Sequence, residues 1–204
     1  MNALKRWVAP AVLAVLVAGC ASTPAPVLLT LPPAMAPPDG AAAPSPGAGA
    51  SAPLLAVRRI NIPEYLVARR VRYRTDASTL VEWPNTFWAE RIEIGVAREF
   101  VSALRQQLPG WALCDTNCGD SAPELTLQVD LEPLDYLRGA QKLRARARIT
   151  LSGAGVSPKV LQTQELSYEL NSSADTAQAQ AQVMATLIRQ VAAAAAPLIR
   201  SARP

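Results

Sequence analysis

A chain of 204 residues, half of them apolar and with 20 basic against 16 acidic side chains, can bury one core but has too little excess charge to demand a nucleic-acid partner. Histidine is absent, which excludes Ser-His-Asp and Cys-His catalysis, histidine metal sites and histidine pH switches. A carboxylate pair stays possible in principle, but the acids are scattered, so the balance tilts to binding or structure, with no catalytic residue, no metal and no cofactor.

The first twenty residues read MNALKRWVAPAVLAVLVAGC. Lys5 and Arg6 make a short positive region, and residues 7–17 an apolar run too short to span a bilayer. The small pair Ala18-Gly19 precedes Cys20. Together these resemble the bacterial lipobox. The expectation is a signal peptide over 1–19, cleavage before Cys20, and diacylglycerol and palmitate on the Cys20 anchor. Two or more acyl chains hold a protein firmly, at about 0.8 kcal/mol per buried methylene. Ala21 in place of Asp favours the outer membrane, by analogy with enteric sorting. Loss of Lys5 and Arg6 leaves 18 basic to 16 acidic.

Residues 20–53 are dominated by Pro, Ala, Gly and Ser and read as a lipidated, disordered tether, with a short strand conceivable at 27–31. The folded domain is expected over 54–204. Residues 54–62 read as a strand whose alternation slips at Arg58-Arg59, a bulge or a strand end. A turn at 63–66 leads to a hairpin of 68–74 with 78–83. In 90–108, Ile92, Val96, Phe100, Leu104 and Leu108 recur every four residues, which predicts a helix stopped by Pro109-Gly110. Cys114 and Cys118, even in number and in an oxidising compartment, predict a disulfide over a metal pair.

Residues 124–131, 142–152 and 160–170 alternate as half-buried antiparallel strands. Outward Arg144, Arg146 and Arg148 would face Glu124 and Asp130 on one side, and Glu165 and Glu169 on the other. A last helix is expected over 175–202, capped by Ser172, Ser173 or Asp175, and kinked or ended early by Pro197. The fold class is therefore α/β: a two-layer domain, mostly antiparallel sheet with two helices packed on one face.

The turn Ile62-Pro63-Glu64-Tyr65-Leu66, then Tyr73, Trp83, Trp88-Ala89-Glu90 and the helix ending Leu108-Pro109-Gly110-Trp111 resemble the auxiliary lipoproteins of ABC-type transport systems, the paraquat-inducible lipoprotein C family. An aromatic residue usual in the family's strand after the tether is missing, and the Cys114–Cys118 insert is peculiar to this sequence. The resemblance implies a non-enzymatic protein anchored in the outer membrane and facing the periplasm. It would dock the periplasmic component of a mammalian-cell-entry (MCE) and ABC-type lipid transport system. Its implied partners are an MCE-domain protein and an ABC transporter, with a homo-oligomer conceivable. The alternatives are a periplasmic lipid or lipopolysaccharide carrier, or a structural lipoprotein of a secretion assembly.

Two clusters are candidate contact surfaces. Trp83, Phe87 and Trp88 would form either core and hydrophobic staple or an exposed aromatic rim. Arg58, Arg59, Arg69, Arg70, Arg72 and Arg74 would be solvated strand residues or would meet anionic headgroups or an acidic partner.

Overall fold

The computed structural model describes residues 24–33, 52–115, 118–119, 121–155 and 158–202. The expected signal segment and the Cys20 anchor lie outside them. In chain order come β1 (Val27–Leu29), β2 (Leu54–Val57), a 3-10 turn (Glu64–Leu66), β3 (Arg70–Arg74), β4 (Leu80–Trp88), α1 (Ile92–Gln107) and β5 (Ala112–Cys114). β6 (Leu125–Leu137), a second 3-10 turn (Arg138–Ala140), β7 (Lys142–Gly153), β8 (Val160–Asn171) and α2 (Ala177–Ser201) follow.

β6 is the axis of an eight-stranded mixed sheet. One of its edges pairs antiparallel with β7 along its length, and β7 pairs antiparallel with β8. The other edge is shared. β2 runs parallel to its first half, with Leu55 beside Leu125, and β3 meets its far end at Leu137. β5 continues outward from β2, and β4 and then β1 continue outward from β3. The long pairings are antiparallel and the short ones parallel.

Alternation gives the sheet its two faces. Leu125, Leu127, Val129 and Leu131 of β6 and Leu143, Ala145, Ala147, Ile149 and Leu151 of β7 are buried, as their period of two demands. Over this face lie both helices, α1 burying Val96, Phe100 and Leu104, and α2 burying Leu187, Ile188, Val191 and Ile199. Each such side chain contributes roughly 1.5–3 kcal/mol when fully buried. α2 is long and apolar enough to cross a membrane by length and composition, but its apolar stripe is the domain's core.

Several expectations are corrected. The short strand read at 27–31 forms as β1, so that part of the expected tether belongs to the sheet: β1 pairs parallel with β4, Leu29 and Leu31 are buried, and the Ala89 amide donates to the Leu29 carbonyl. Two leucines in alternation outweigh the Pro/Ala-rich setting. β4 does not stop at Trp83 but runs past Pro84 to Trp88, because β1 supplies a partner for 86–88. β6 likewise continues beyond Leu131. Pro133 cannot donate, and the ladder absorbs it as a register shift between Leu131 and Leu134. β5 has only three residues and gives no readable period.

Pro197 neither ends nor shortens α2. Its nitrogen has no hydrogen to donate to the Ala193 carbonyl, and both residues are exposed, so that carbonyl is open to solvent. The cap is Thr176, whose Oγ1 accepts from the Ala179 amide at 3.1 Å. None of the three expected residues caps the helix; Asp175 binds Arg138 instead. The predicted slip at Arg58-Arg59 is where β2 ends, and Asn61 rejoins the sheet by one bridge to Asp130.

Candidate functional site

The sheet face without helices is where the charged side chains gather. β7 presents Arg144, Arg146 and Arg148 to solvent. Towards β8 the expected ion pairs form: Arg148 meets Glu165 at 2.7 Å, and Glu169 takes Lys142 at 2.5 Å and Arg144 at 3.7 Å. The hydrogen bond from Lys142, more than any other cause, holds the Glu169 carboxyl below its ordinary value. Towards β6 they do not form. Asp130 stands opposite Arg148 but accepts from Asn61 Nδ2 at 2.5 Å, and Glu124 falls before the strand. The acidic–basic–acidic stripe is thus closed on one side only. Asp135, opposite Arg144, is taken by Arg74 at 2.7 Å.

The candidate arginines of β3 are also partnered. Arg70 and Arg72 each lie 3.3 Å from Glu82 of β4. Arg70 covers the Phe87 ring at 4.9 Å. Arg74 stacks on Tyr65 at 5.0 Å, and the Tyr65 hydroxyl donates to Asp135 at 2.8 Å. Burial, chiefly, raises the Tyr65 phenol above its usual value. Arg58, Arg59 and Arg69 stand exposed. Among the described residues, Arg58, Arg59 and Arg105 make no ion pair.

The aromatic cluster splits between the two faces, because β4 is irregular at Asn85, whose φ is 48°. Trp83 and Trp88 point into the core, 7% and 4% exposed, while Phe87 lies half-buried on the outer face. The Trp83 indole donates to Gln180 Oε1 of α2 at 2.7 Å, and Gln180 Nε2 donates to the Arg72 carbonyl at 2.7 Å. Above Trp83 and Tyr73 sits Arg138, at 4.2 and 4.9 Å from their rings. It donates to the Tyr73 hydroxyl at 2.9 Å and pairs with Asp175 at 2.8 Å, which holds its proton more tightly than usual. Sequence reasoning missed this knot of Trp83, Gln180, Arg138 and Asp175. Its one signal was an amide, Gln180, on an otherwise apolar helix stripe.

Cys114 and Cys118 are bonded, with Cα atoms 5.2 Å apart. Cys118 and Gly119 form one lip of an open groove of about 780 Å³ whose other side carries Arg58 and Arg59. A second open groove, about 400 Å³, runs along α1 between Val57, Ile60, Ile94 and Val101, with Arg58 and Arg105 at its rim. Between sheet and helices, near Trp88, Tyr136 and Met184, the free space is about 10 Å³.

The sequence pattern of the ABC-type transport auxiliary lipoprotein components matches residues 34–196. No curated protein matches the chain in sequence. The fold is similar to that of an uncharacterized protein of known crystal structure, with 21% identity, a TM-score of 0.67, and cover of 86% of this chain and 99% of the other. A Xanthomonas campestris protein of the DUF330 family is similar too, at 17% identity and a TM-score of 0.55, with 84% and 90% covered.

Proposed function

The chain belongs to the family of ABC-type transport auxiliary lipoprotein components, and from that premise we propose that it docks the periplasmic part of an MCE/ABC-type lipid transport system to the outer membrane. Cys20 is the lipid anchor, and the protein is not an enzyme. Its partners are the MCE-domain protein and ABC transporter of the same system, and MCE rings make a homo-oligomer of this chain a natural counterpart.

One observation carries docking over lipid carriage. Pockets that enclose a small ligand measure about 300 Å³ or more, whereas the pocket between sheet and helices at Trp88, Tyr136 and Met184 measures about 10 Å³. The larger depressions are open surface grooves, suited to a partner's side chains. A carrier needs the reverse: a dry interior that accepts acyl chains.

The test is affinity purification of the lipidated protein from membranes, followed by native mass spectrometry. Recovery of an MCE-domain protein, with no stoichiometric lipid on the free domain, is the expected result. A phospholipid bound one to one would replace docking with carriage. Loss of outer-membrane fractionation in Cys20→Ser, with unchanged circular dichroism, is expected for the anchor.

A further inference from the structure

The docked strand β1 changes what a lipid on Cys20 does to the domain. An anchor followed by a free tether of some thirty residues would let the domain stand off the bilayer. Here the chain is already held at Pro24: Asn85 Nδ2 donates to the carbonyls of Pro24 and Ala25 at 2.8 and 2.9 Å. Two residues further, β1 begins its ladder with β4, and Leu29 and Leu31 enter the core. Only four peptide steps separate Cys20 from Pro24. Even fully extended they reach about 14 Å, at about 3.3–3.6 Å per residue. The polar headgroup layer of one leaflet is itself roughly 5–8 Å deep.

The surface next to that point is apolar. Val27 and Leu28 are 41% and 56% exposed, among the few large hydrophobic side chains the domain shows to solvent. Leu28 lies in register with Phe87, and Arg70 covers the Phe87 ring on the same outer face. An apolar centre with an arginine on a ring is a composition that settles at a membrane interface, with aliphatic and aromatic groups below and the guanidinium at phosphate level.

We infer that the lipidated protein lies directly on its bilayer, with the β1–β4 edge around Val27, Leu28, Phe87 and Arg70 against the phospholipid surface. The occupant of this edge is the membrane itself, because the anchor leaves the edge no room to turn to a partner farther away. The Pro/Ala-rich residues between β1 and β2 then do not set the distance from the bilayer. The inference rests on acylation of Cys20, and the test reads that separately.

The protein has no other free thiol once Cys20 is acylated and Cys114–Cys118 is bonded, so single labels can be placed at will. An environment-sensitive fluorophore goes on Leu28→Cys or, as a control on the far strand, on Ser167→Cys, in the full lipidated chain reconstituted into vesicles. Flotation with the vesicles first establishes anchoring; its failure would sink the lipoprotein reading. In floated protein, headgroup-region nitroxide lipid is expected to quench position 28 several-fold more than position 167. Inserting about twenty Gly/Ser residues after Ala21 adds roughly 25 Å of average reach and is expected to abolish most of that difference. Equal quenching at 28 and 167 in the native-length chain overturns the inference. So does shielding of 28 from aqueous quencher without lipid contact, which would assign the edge to a protein partner.

Discussion

Replacing Gln180 by Leu isolates the polar knot that ties α2 to the sheet. Gln180 is 2% exposed, so water cannot substitute for its amide. The change keeps a similar side-chain volume but removes two bonds of 2.7 Å, one from the Trp83 indole and one to the Arg72 carbonyl. A buried N–H left without an acceptor costs about 1–3 kcal/mol, and the second lost bond adds about 0.5–1.5 kcal/mol. The variant should therefore be about 2–4 kcal/mol less stable in urea denaturation followed by circular dichroism. At about 2–4 °C per kcal/mol for a domain of this size, its melting point should fall by roughly 5–15 °C. Trp83→Phe supplies the control, because it removes the orphaned donor. In the double variant the two losses should sum to less than additivity by about 1 kcal/mol or more. A Gln180→Leu protein within about 0.5 kcal/mol of the parent, or strict additivity with Trp83→Phe, would refute the account.

Leu31→Ala should cost about 2–5 kcal/mol, the range for emptying a closed core site, and a chain starting at residue 52 should lose at least as much; equal denaturation midpoints would show that β1 is not part of the domain. Cys114→Ser with Cys118→Ser should cost about 2 kcal/mol, from the entropy of so short a loop, read by the same denaturation. Asp76, in the turn between β3 and β4, is held at about 2 chiefly by the Ser78 amide, with Thr79 next, against an ordinary 3.8. Its folded value is the lower one. The stability it contributes is therefore complete above the ordinary value and lost as pH falls through about 2. Asp76→Asn should flatten stability over that window, and a carboxyl NMR titration with its inflection near 3.8 would contradict the assignment.

Much of this was legible in the sequence because the strong periods are long. β6, β7 and the two helices follow from runs of alternating or four-spaced apolar residues, and those elements form the layers. Where signals were short or conflicting, tertiary pairing decided. Leu29 and Leu31 sit among prolines and alanines whose composition says tether, and only the presence of β4 makes them core. The expected strands stop at Trp83 and Leu131, yet β4 and β6 run on through Pro84 and Pro133 at irregularities in their ladders. The candidate surface was legible in type and not in partnership. Alternation placed Arg70, Arg72 and Arg74 outward, but no local rule could give them Glu82 and Asp135 as neighbours. Trp83 and Phe87 differ in fate because an even separation in sequence becomes opposite faces once β4 is irregular at Asn85, which adopts a φ of 48°.

That partnership bears on where a protein partner binds. The outer face is dense in arginine but largely neutralised: Glu82, Asp135, Glu165 and Glu169 together take Arg70, Arg72, Arg74, Arg144 and Arg148. A partner meeting this face must displace existing pairs; the exposed ones are worth at most about 1 kcal/mol each, while Arg74–Asp135 is largely buried, so the partner gains little from charge. The groove along α1 differs: beside Val57, Ile60, Ile94 and Val101 it carries Glu93, Arg98 and Asp115, and its Arg58 and Arg105 make no ion pair among the described residues. Docking through that groove should weaken markedly as ionic strength rises from well below to well above 0.15 M, where the screening length is about 8 Å. Arg58→Ala with Arg105→Ala should remove most of that salt dependence by slowing association. Partner binding that ignores salt, or whose salt dependence survives the double change, would shift the docking surface to the neutralised sheet face.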